Sequence, residues 1–106
     1  MLHIADCEDN WLHGVVRREF QPWIFYDIKD YPTKAKIIDV LGHARRRTLS
    51  YLETLQEADL NSTYAIPDGT RFKLGWIIWH VLEHEIHHRG ELSLALGLLG
   101  REGLDV

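Results

Sequence analysis

Apolar residues recur at three- and four-residue spacing in three segments of the chain, which predicts three helices. The first covers residues 2–20 and is stopped by Pro22. The second covers residues 33–57, where Thr33 follows Pro32 as the expected N-cap. Its apolar stripe is formed by Ile37, Leu41, Ala44, Thr48, Tyr51 and Leu55. The third covers residues 73–99 and ends at Gly100.

The segment between the second and third helices carries a strong turn signal, Pro67-Asp68-Gly69. The short runs on either side, residues 64–66 and 71–72, predict a small hairpin before the last helix. No longer strand is indicated. We therefore expect an all-α protein with three main helices, packed up and down as in a four-helix bundle.

The composition is that of a globular domain. The chain has 106 residues, 45% of them hydrophobic, so we expect one domain over residues 1–106. The net charge of −4 argues against a nucleic-acid binder that works by phosphate neutralisation. No apolar run is long enough to span a membrane and no signal peptide opens the chain. The single cysteine, Cys7, favours a reducing, cytoplasmic setting.

The charges of the first helix match its dipole, and the basic run of the second helix suggests a solvated face. The acidic residues Asp6, Glu8 and Asp9 stand early in the first helix, where the helix dipole favours negative charge. The basic run Arg45-Arg46-Arg47 points in three directions around the second helix. We interpret this run as a solvated face with local ion pairs.

Histidine is the unusual residue of this sequence. Four of the seven histidines lie between His80 and His88. The apolar face of the last helix reads Ile77, Val81, His84, His88, Leu92, Ala95 and Leu99, so two histidines interrupt a buried stripe. Imidazoles at i and i+4 can bind one metal ion, and neutral imidazole suits zinc or nickel. The alternative is two core histidines satisfied by neighbours. His80 and His87 are expected in structural or orienting roles.

Two histidines do not complete a zinc site, which takes three or four protein ligands. The remaining donors are His3, His13, His43, Cys7 and the carboxylates, and spacing alone does not choose among them. His13 and His43 lie at the polar margins of their helices and are expected at the surface. Cys7, one turn from His3, is expected to be a small core residue.

His84-Glu85-Ile86-His87-His88 also matches HExxH, in which the glutamate is the general base of a zinc protease. The context disagrees, because Glu91 stands where the metzincin extension has glycine. A chain of this length also lacks room for the sheet and cleft of such an enzyme. We do not favour this interpretation.

The stretch WIIWHVLEHEIHHRGELSLALGLLG, residues 76–100, resembles the last core helix of the DinB family, also described as the DinB/bacillithiol-transferase superfamily. The opening LHIADCEDNWLHGVVRRE is similar to the second helix of that fold. The resemblance implies a four-helix bundle that binds zinc or nickel through His3, His84 and His88. The family's first helix has no counterpart here, either because the start is truncated or because the fold compensates.

The resemblance also implies a metal-dependent enzyme, either a transferase acting on a small thiol such as bacillithiol or a hydrolase. Three histidines with an open fourth position are the catalytic pattern, and Glu91 is placed to orient a ligand imidazole. The competing interpretation is a non-catalytic metal-binding or stress-related helical dimerisation module. Three amphipathic helices leave one groove open, so we expect a homodimer. The alternative is that the aromatic connection, residues 21–32, folds back over the groove.

Overall fold

The computed structural model describes residues 1–101. Helix α1 spans Leu2–Glu8 and continues without a break into a π-helical segment, Asp9–Val16. Helices α2 and α3 span Lys34–Leu52 and Leu74–Leu98, and strands β1 and β2 span Thr63–Ala65 and Arg71–Lys73. Short 3₁₀ turns cover Ile28–Asp30 and Glu57–Asn61. The predicted helical fold and hairpin are confirmed for these residues, while the up-and-down bundle packing stays a prediction.

Two helices end earlier than predicted. After the π-helical segment the amide of Arg17 still bonds to the carbonyl of Leu12 at 3.1 Å, and Arg18 then turns the chain with φ 54°. The first helix thus ends at residue 16 instead of 20. Helix α2 ends at Leu52 instead of residue 57. Just after this end, the hydroxyl of Thr54 donates to the carbonyl of Tyr51 at 2.7 Å. The spacing of apolar residues does not predict either of these helix ends, because each is set by a local turn of the backbone.

The hairpin leads directly into α3. Its strands are antiparallel, with Tyr64 opposite Phe72, and Gly69 supplies the turn with φ 92°. The amide of Leu74 donates to the carbonyl of Ser62 at 2.8 Å, which fixes the start of the helix against the hairpin. The hairpin therefore sets where the histidines of α3 fall relative to α1.

Helix α1 is the central element and packs against both α2 and α3. Leu12, Leu74 and Ile77 are at most 1% exposed and form the middle of the core. The rest of this core cluster consists of Cys7, Val15, Val16 and Val81. The predicted stripe of α2 also faces inward at its buried residues, Ala44 and Thr48. No helix within residues 1–101 is long and apolar enough to cross a membrane.

The acidic residues Asp6, Glu8 and Asp9 are buried, which their agreement with the helix dipole does not predict. Glu8 accepts hydrogen bonds from Arg45 at 3.1 Å and from the hydroxyl of Thr48 at 2.8 Å. Arg45 also pairs with Glu85 of α3. The ion pairs expected for the arginine run thus join three helices, because a buried carboxylate needs a charged or hydrogen-bonding partner.

The connection of residues 21–32 folds back onto α1. The amide of Ile24 donates to the side chain of Asn10 at 2.8 Å, and the amide of Tyr26 donates to Asp6 at 2.7 Å. A separate groove runs between α2 and α3, with cavities of about 490 Å³ and 220 Å³ around Arg45. None of the described residues 21–32 lines these two cavities, so the connection does not cover the groove.

Candidate metal centre

Helices α1 and α3 bring His3, His84 and His88 together. One possible donor atom from each residue lies within 4.8 Å of the other two. The ring of His3 is 4.8 Å from that of His84 and 5.0 Å from that of His88, measured between centroids. The Nε2 atoms of His84 and His88 are 3.3 Å apart. The three residues selected by the resemblance therefore form one cluster.

Two of these three imidazoles have a carboxylate near their Nδ1 atom. The Nδ1 atom of His88 is 3.3 Å from Glu91, which leaves its Nε2 facing His84. The Nδ1 atom of His3 is 3.8 Å from Asp6. A carboxylate at one ring nitrogen fixes the tautomer and leaves the other nitrogen to bind a metal. The position of Glu91 agrees with the orienting role expected from the sequence.

His84 is held in its neutral form. Burial, together with the neighbouring His88 and His3, lowers its pKa to about 4. Its Nδ1 atom is buried and has no hydrogen-bond partner among the described residues. Neutral imidazole is the form that binds metal. The Nε2 atom of His84 faces His88, so the neutral ring presents this nitrogen to the cluster and fits a metal ligand.

The spacing of the donors also fits a divalent ion. In a tetrahedral site with Zn–N bonds of 2.0–2.1 Å, two ligand nitrogens lie about 3.3–3.4 Å apart. The separation of 3.3 Å between His84 and His88 equals this value. The other donor separations reach at most 4.8 Å, and the His3 side chain, 59% exposed, is free to adjust. These residues could hold zinc or nickel.

A cavity of about 160 Å³ adjoins the cluster. Its walls combine imidazoles, larger aromatic rings and short polar side chains from α1, α3 and the connection. They are His3, Asp6, Cys7, Asn10, Trp11, Trp23, Phe25, His80 and His84. Two of the three clustered histidines thus face a space where a small molecule fits.

Cys7 lies in the core and also borders this cavity. It is 9% exposed, as expected for a small core residue. Burial, together with the carboxylates of Glu8 and Asp6, raises the pKa of its thiol to about 12. The thiol is therefore protonated at neutral pH and does not supply a thiolate in this arrangement.

The remaining histidines lie outside the cluster. His80 stacks on Trp76 with 4.7 Å between ring centroids, and its Nδ1 is 3.1 Å from Glu83. His87 is mostly exposed and lies 2.6 Å from Glu91. His43 is exposed, as expected.

His13, in contrast, was expected at the surface and is 0% exposed. Its Nδ1 lies 3.2 Å from Arg17 and its Nε2 lies 3.4 Å from the hydroxyl of Thr48. Burial lowers its pKa, and the charge of Arg47 lowers it further. The π-helical segment is buried almost all round, so a residue at the polar edge of its helical pattern is not exposed to solvent there.

The glutamate of the HExxH match does not face the histidine cavity. Glu85 pairs with Arg45 and lines the groove between α2 and α3. This position is unsuited to a zinc protease, because a general base must reach the metal-bound reactant.

The chain belongs to the DinB superfamily, whose sequence model matches residues 1–92. It is 27% identical over 96 residues to the uncharacterized protein YizA of Bacillus subtilis strain 168. That alignment covers 89% of this chain and 58% of YizA, so the chain spans a little over half of the relative's length. Membership confirms the resemblance drawn from the helix sequences.

The sequence did not identify the aromatic wall of the cavity. Trp23 and Phe25 come from the connection, which has no periodic pattern to predict its path. Its unusual run of four apolar residues, Trp23-Ile24-Phe25-Tyr26, was the available signal that it packs. Asp6 and Asn10 were also missed as the residues that anchor this run.

Proposed function

We propose that this protein binds one divalent metal ion, zinc or nickel, through His3, His84 and His88, and that the site is catalytic. The observation that supports this best is the cluster of three histidine nitrogens within 4.8 Å at the edge of a cavity. Three histidine ligands leave a position for a reactant, as in catalytic rather than structural sites.

The chemistry proposed is thiol transfer or hydrolysis. A bound divalent ion would lower the pKa of a thiol or water and so supply a nucleophile at neutral pH. The protein's own residues prepare the site for that role. Glu91 keeps the proton of His88 on Nδ1, burial keeps His84 neutral, and Trp11 and Trp23 line one side of the site.

Metal binding is tested with protein purified without an affinity tag. We expect elemental analysis to give one ion per chain and titration calorimetry to give a single site. His84→Ala and His88→Ala should each abolish binding, and His3→Ala should weaken it strongly. His43→Ala is the matched control, because His43 is exposed and lies outside the cluster. Unchanged metal content in the His84→Ala/His88→Ala double variant would disprove the site.

Catalysis needs a separate measurement. The transfer of a small thiol to a chromogenic aryl chloride, and the hydrolysis of an activated ester, should both be followed before and after exhaustive chelation. We expect one rate to disappear on chelation and return with zinc or nickel. Full metal binding with neither activity would favour the alternative, a non-catalytic metal-binding module.

A further inference from the structure

The histidine cluster and the groove between α2 and α3 are built on different faces of the same two helices, α1 and α3. We propose that metal binding by His3, His84 and His88 and the pairing of two copies through this groove strengthen each other. The inference rests on the proposed function, because it needs the metal ion at the three histidines. It adds control of that site by self-association.

The start of α1 serves both sites. Met1 and Ile4 line the groove, whereas His3 and Cys7 line the histidine cavity. With 3.6 residues per turn, positions 1, 4, 5 and 8 form one stripe of the helix, and positions 3, 6, 7 and 10 form the neighbouring stripe. Any movement of this part of the backbone therefore changes both the groove and the position of the candidate ligand His3.

Helix α3 divides its side chains in the same way. His84 and His88 belong to the histidine cluster, and the residues that follow each of them, Glu85 and Arg89, line the groove. Each of the three candidate ligands is thus next in sequence to a groove residue, since Ile4 follows His3 in α1. The placement of α1 against α3 consequently sets both the distances between the ligand nitrogens and the shape of the groove.

The first turn of α1 is the adjustable part of this arrangement. The side chain of His3 is 59% exposed, and the N-cap of α1 makes no side-chain hydrogen bond among the described residues. A bound ion fixes this turn through His3, and a second copy fixes it from the other face through Met1, which is 51% exposed, and Ile4. Whichever event occurs first orders the turn, so the second event loses less conformational entropy.

The groove fits a second copy because the charges at its two ends are opposite. Arg45 lines both of its cavities and marks the middle. Arg89 is exposed at the end that Leu92 lines, and Glu53 is exposed beside Leu52 at the other end. Neither of these charged side chains has an ion-pair partner within residues 1–101. In a two-fold pair whose axis crosses the groove near Arg45, Arg89 of each copy lies toward Glu53 of the other.

The first test compares pairing with and without metal. Sedimentation equilibrium over a range of protein concentrations gives the dimer dissociation constant, once with a chelator present and once with one zinc ion per chain. We expect zinc to lower this constant about five-fold or more, as is typical of coupling between two sites. The His84→Ala/His88→Ala double variant is the control, and its constant should not respond to zinc. An unchanged constant in the unsubstituted protein, or an equal response in the double variant, would overturn the inference.

The second test measures the reverse effect, because coupling between two binding events is reciprocal. Leu82→Glu places a charge in the groove and should weaken zinc binding by the factor that the first test gives, as measured by competition with a chromophoric chelator. Leu94→Glu is the control, since Leu94 is 66% exposed on the same helix and lines neither groove cavity. Urea denaturation shows whether both variants fold. If Leu82→Glu does not, dilution of the unsubstituted protein below its dimer dissociation constant supplies the unpaired chain. Equal zinc affinity for paired and unpaired chains would overturn the inference.

The number of ions separates coupling through α1 from a zinc ion that bridges two copies. Coupling needs one ion per chain and should persist in His43→Ala, which removes an exposed imidazole outside the cluster. A pair that holds an additional ion, or that loses its zinc response in His43→Ala, would contradict the proposed coupling. Absence of zinc binding would overturn the proposed function together with this inference. Zinc binding that leaves pairing unchanged would overturn the inference alone.

Discussion

Glu91 lies 3.3 Å from Nδ1 of His88, on the side of the ring opposite the nitrogen that faces His84. One turn of α3 thus supplies both a candidate ligand and the carboxylate that orients it. This relationship depends only on i, i+3 spacing, so the sequence predicted it without knowledge of the tertiary fold.

The first prediction follows from this pair. Glu91→Gln removes the charge that stabilises the proton on Nδ1, so zinc affinity should fall about ten-fold or more. Competition with a chromophoric chelator measures the affinity. Glu83→Gln is the matched control, because Glu83 lies 3.1 Å from Nδ1 of His80 and is similarly exposed. An equal loss in both variants would show a general charge effect instead of an orienting role.

The second prediction concerns the ion pairs between the helices. Glu8 is 3% exposed, so removing its partner in Arg45→Met leaves a buried carboxylate with fewer hydrogen bonds. The free energy of unfolding should fall by about 1–3 kcal/mol, as measured by urea denaturation. Arg46→Met, at the neighbouring exposed position, should change it by less than about 0.5 kcal/mol.

A second variant separates an unpaired charge from lost packing. Adding Glu8→Gln to Arg45→Met removes the carboxylate itself, and this should restore part of the lost stability. No recovery in the double variant would mean that the Arg45 side chain stabilises the protein by packing and not by neutralising Glu8.

The third prediction concerns pH and His13. Its pKa is lowered by burial in the folded state, whereas the unfolded residue has its ordinary pKa of 6.5. The unfolded state therefore binds more protons once the pH falls below about 6.5, and the free energy of unfolding decreases as the pH falls. At higher pH both states are neutral and this contribution to the pH dependence vanishes.

Urea denaturation at about pH 7.5 and about pH 5.5, with a chelator present, measures this effect on either side of the ordinary histidine pKa. His13→Gln cannot titrate, so the difference in stability between the two pH values should be smaller than in the unsubstituted protein. His43→Ala is the control, because His43 is exposed. An unchanged pH dependence in His13→Gln would contradict the prediction.

Local signals in the sequence predicted much of this molecule. The i, i+4 histidines, the hairpin turn and the three helical stripes each depend on residues close in the chain. The burial of Glu8 and His13 was missed because it depends on Arg45 and Thr48, more than thirty positions away. The choice of His3 as the third histidine came from family resemblance, since spacing within α1 does not identify its neighbour on α3.

The last prediction is that the chain forms a homodimer through the groove between α2 and α3. Ile38, Leu49 and Leu82 line this groove and are 54%, 51% and 46% exposed. The charges at its centre are already paired, because Arg45 lies between Glu8 and Glu85. The groove therefore offers apolar walls around a centre whose charges are paired within the chain, which suits the same face of a second copy.

Light scattering on dilute protein should give a mass of twice the 12.4 kDa chain. Leu82→Glu places a charge in the groove and should produce monomers, because an unpaired carboxylate is costly to bury at an interface. Leu94→Glu is the matched control, since Leu94 is 66% exposed on the same helix and does not line either groove cavity. A mass near that of one chain would refute the dimer. Covering of the groove by residues 21–32 would not account for such a monomer, because these residues pack on α1 away from the groove. A dimer that survives Leu82→Glu but not Leu94→Glu would place the interface on the outer face of α3 instead.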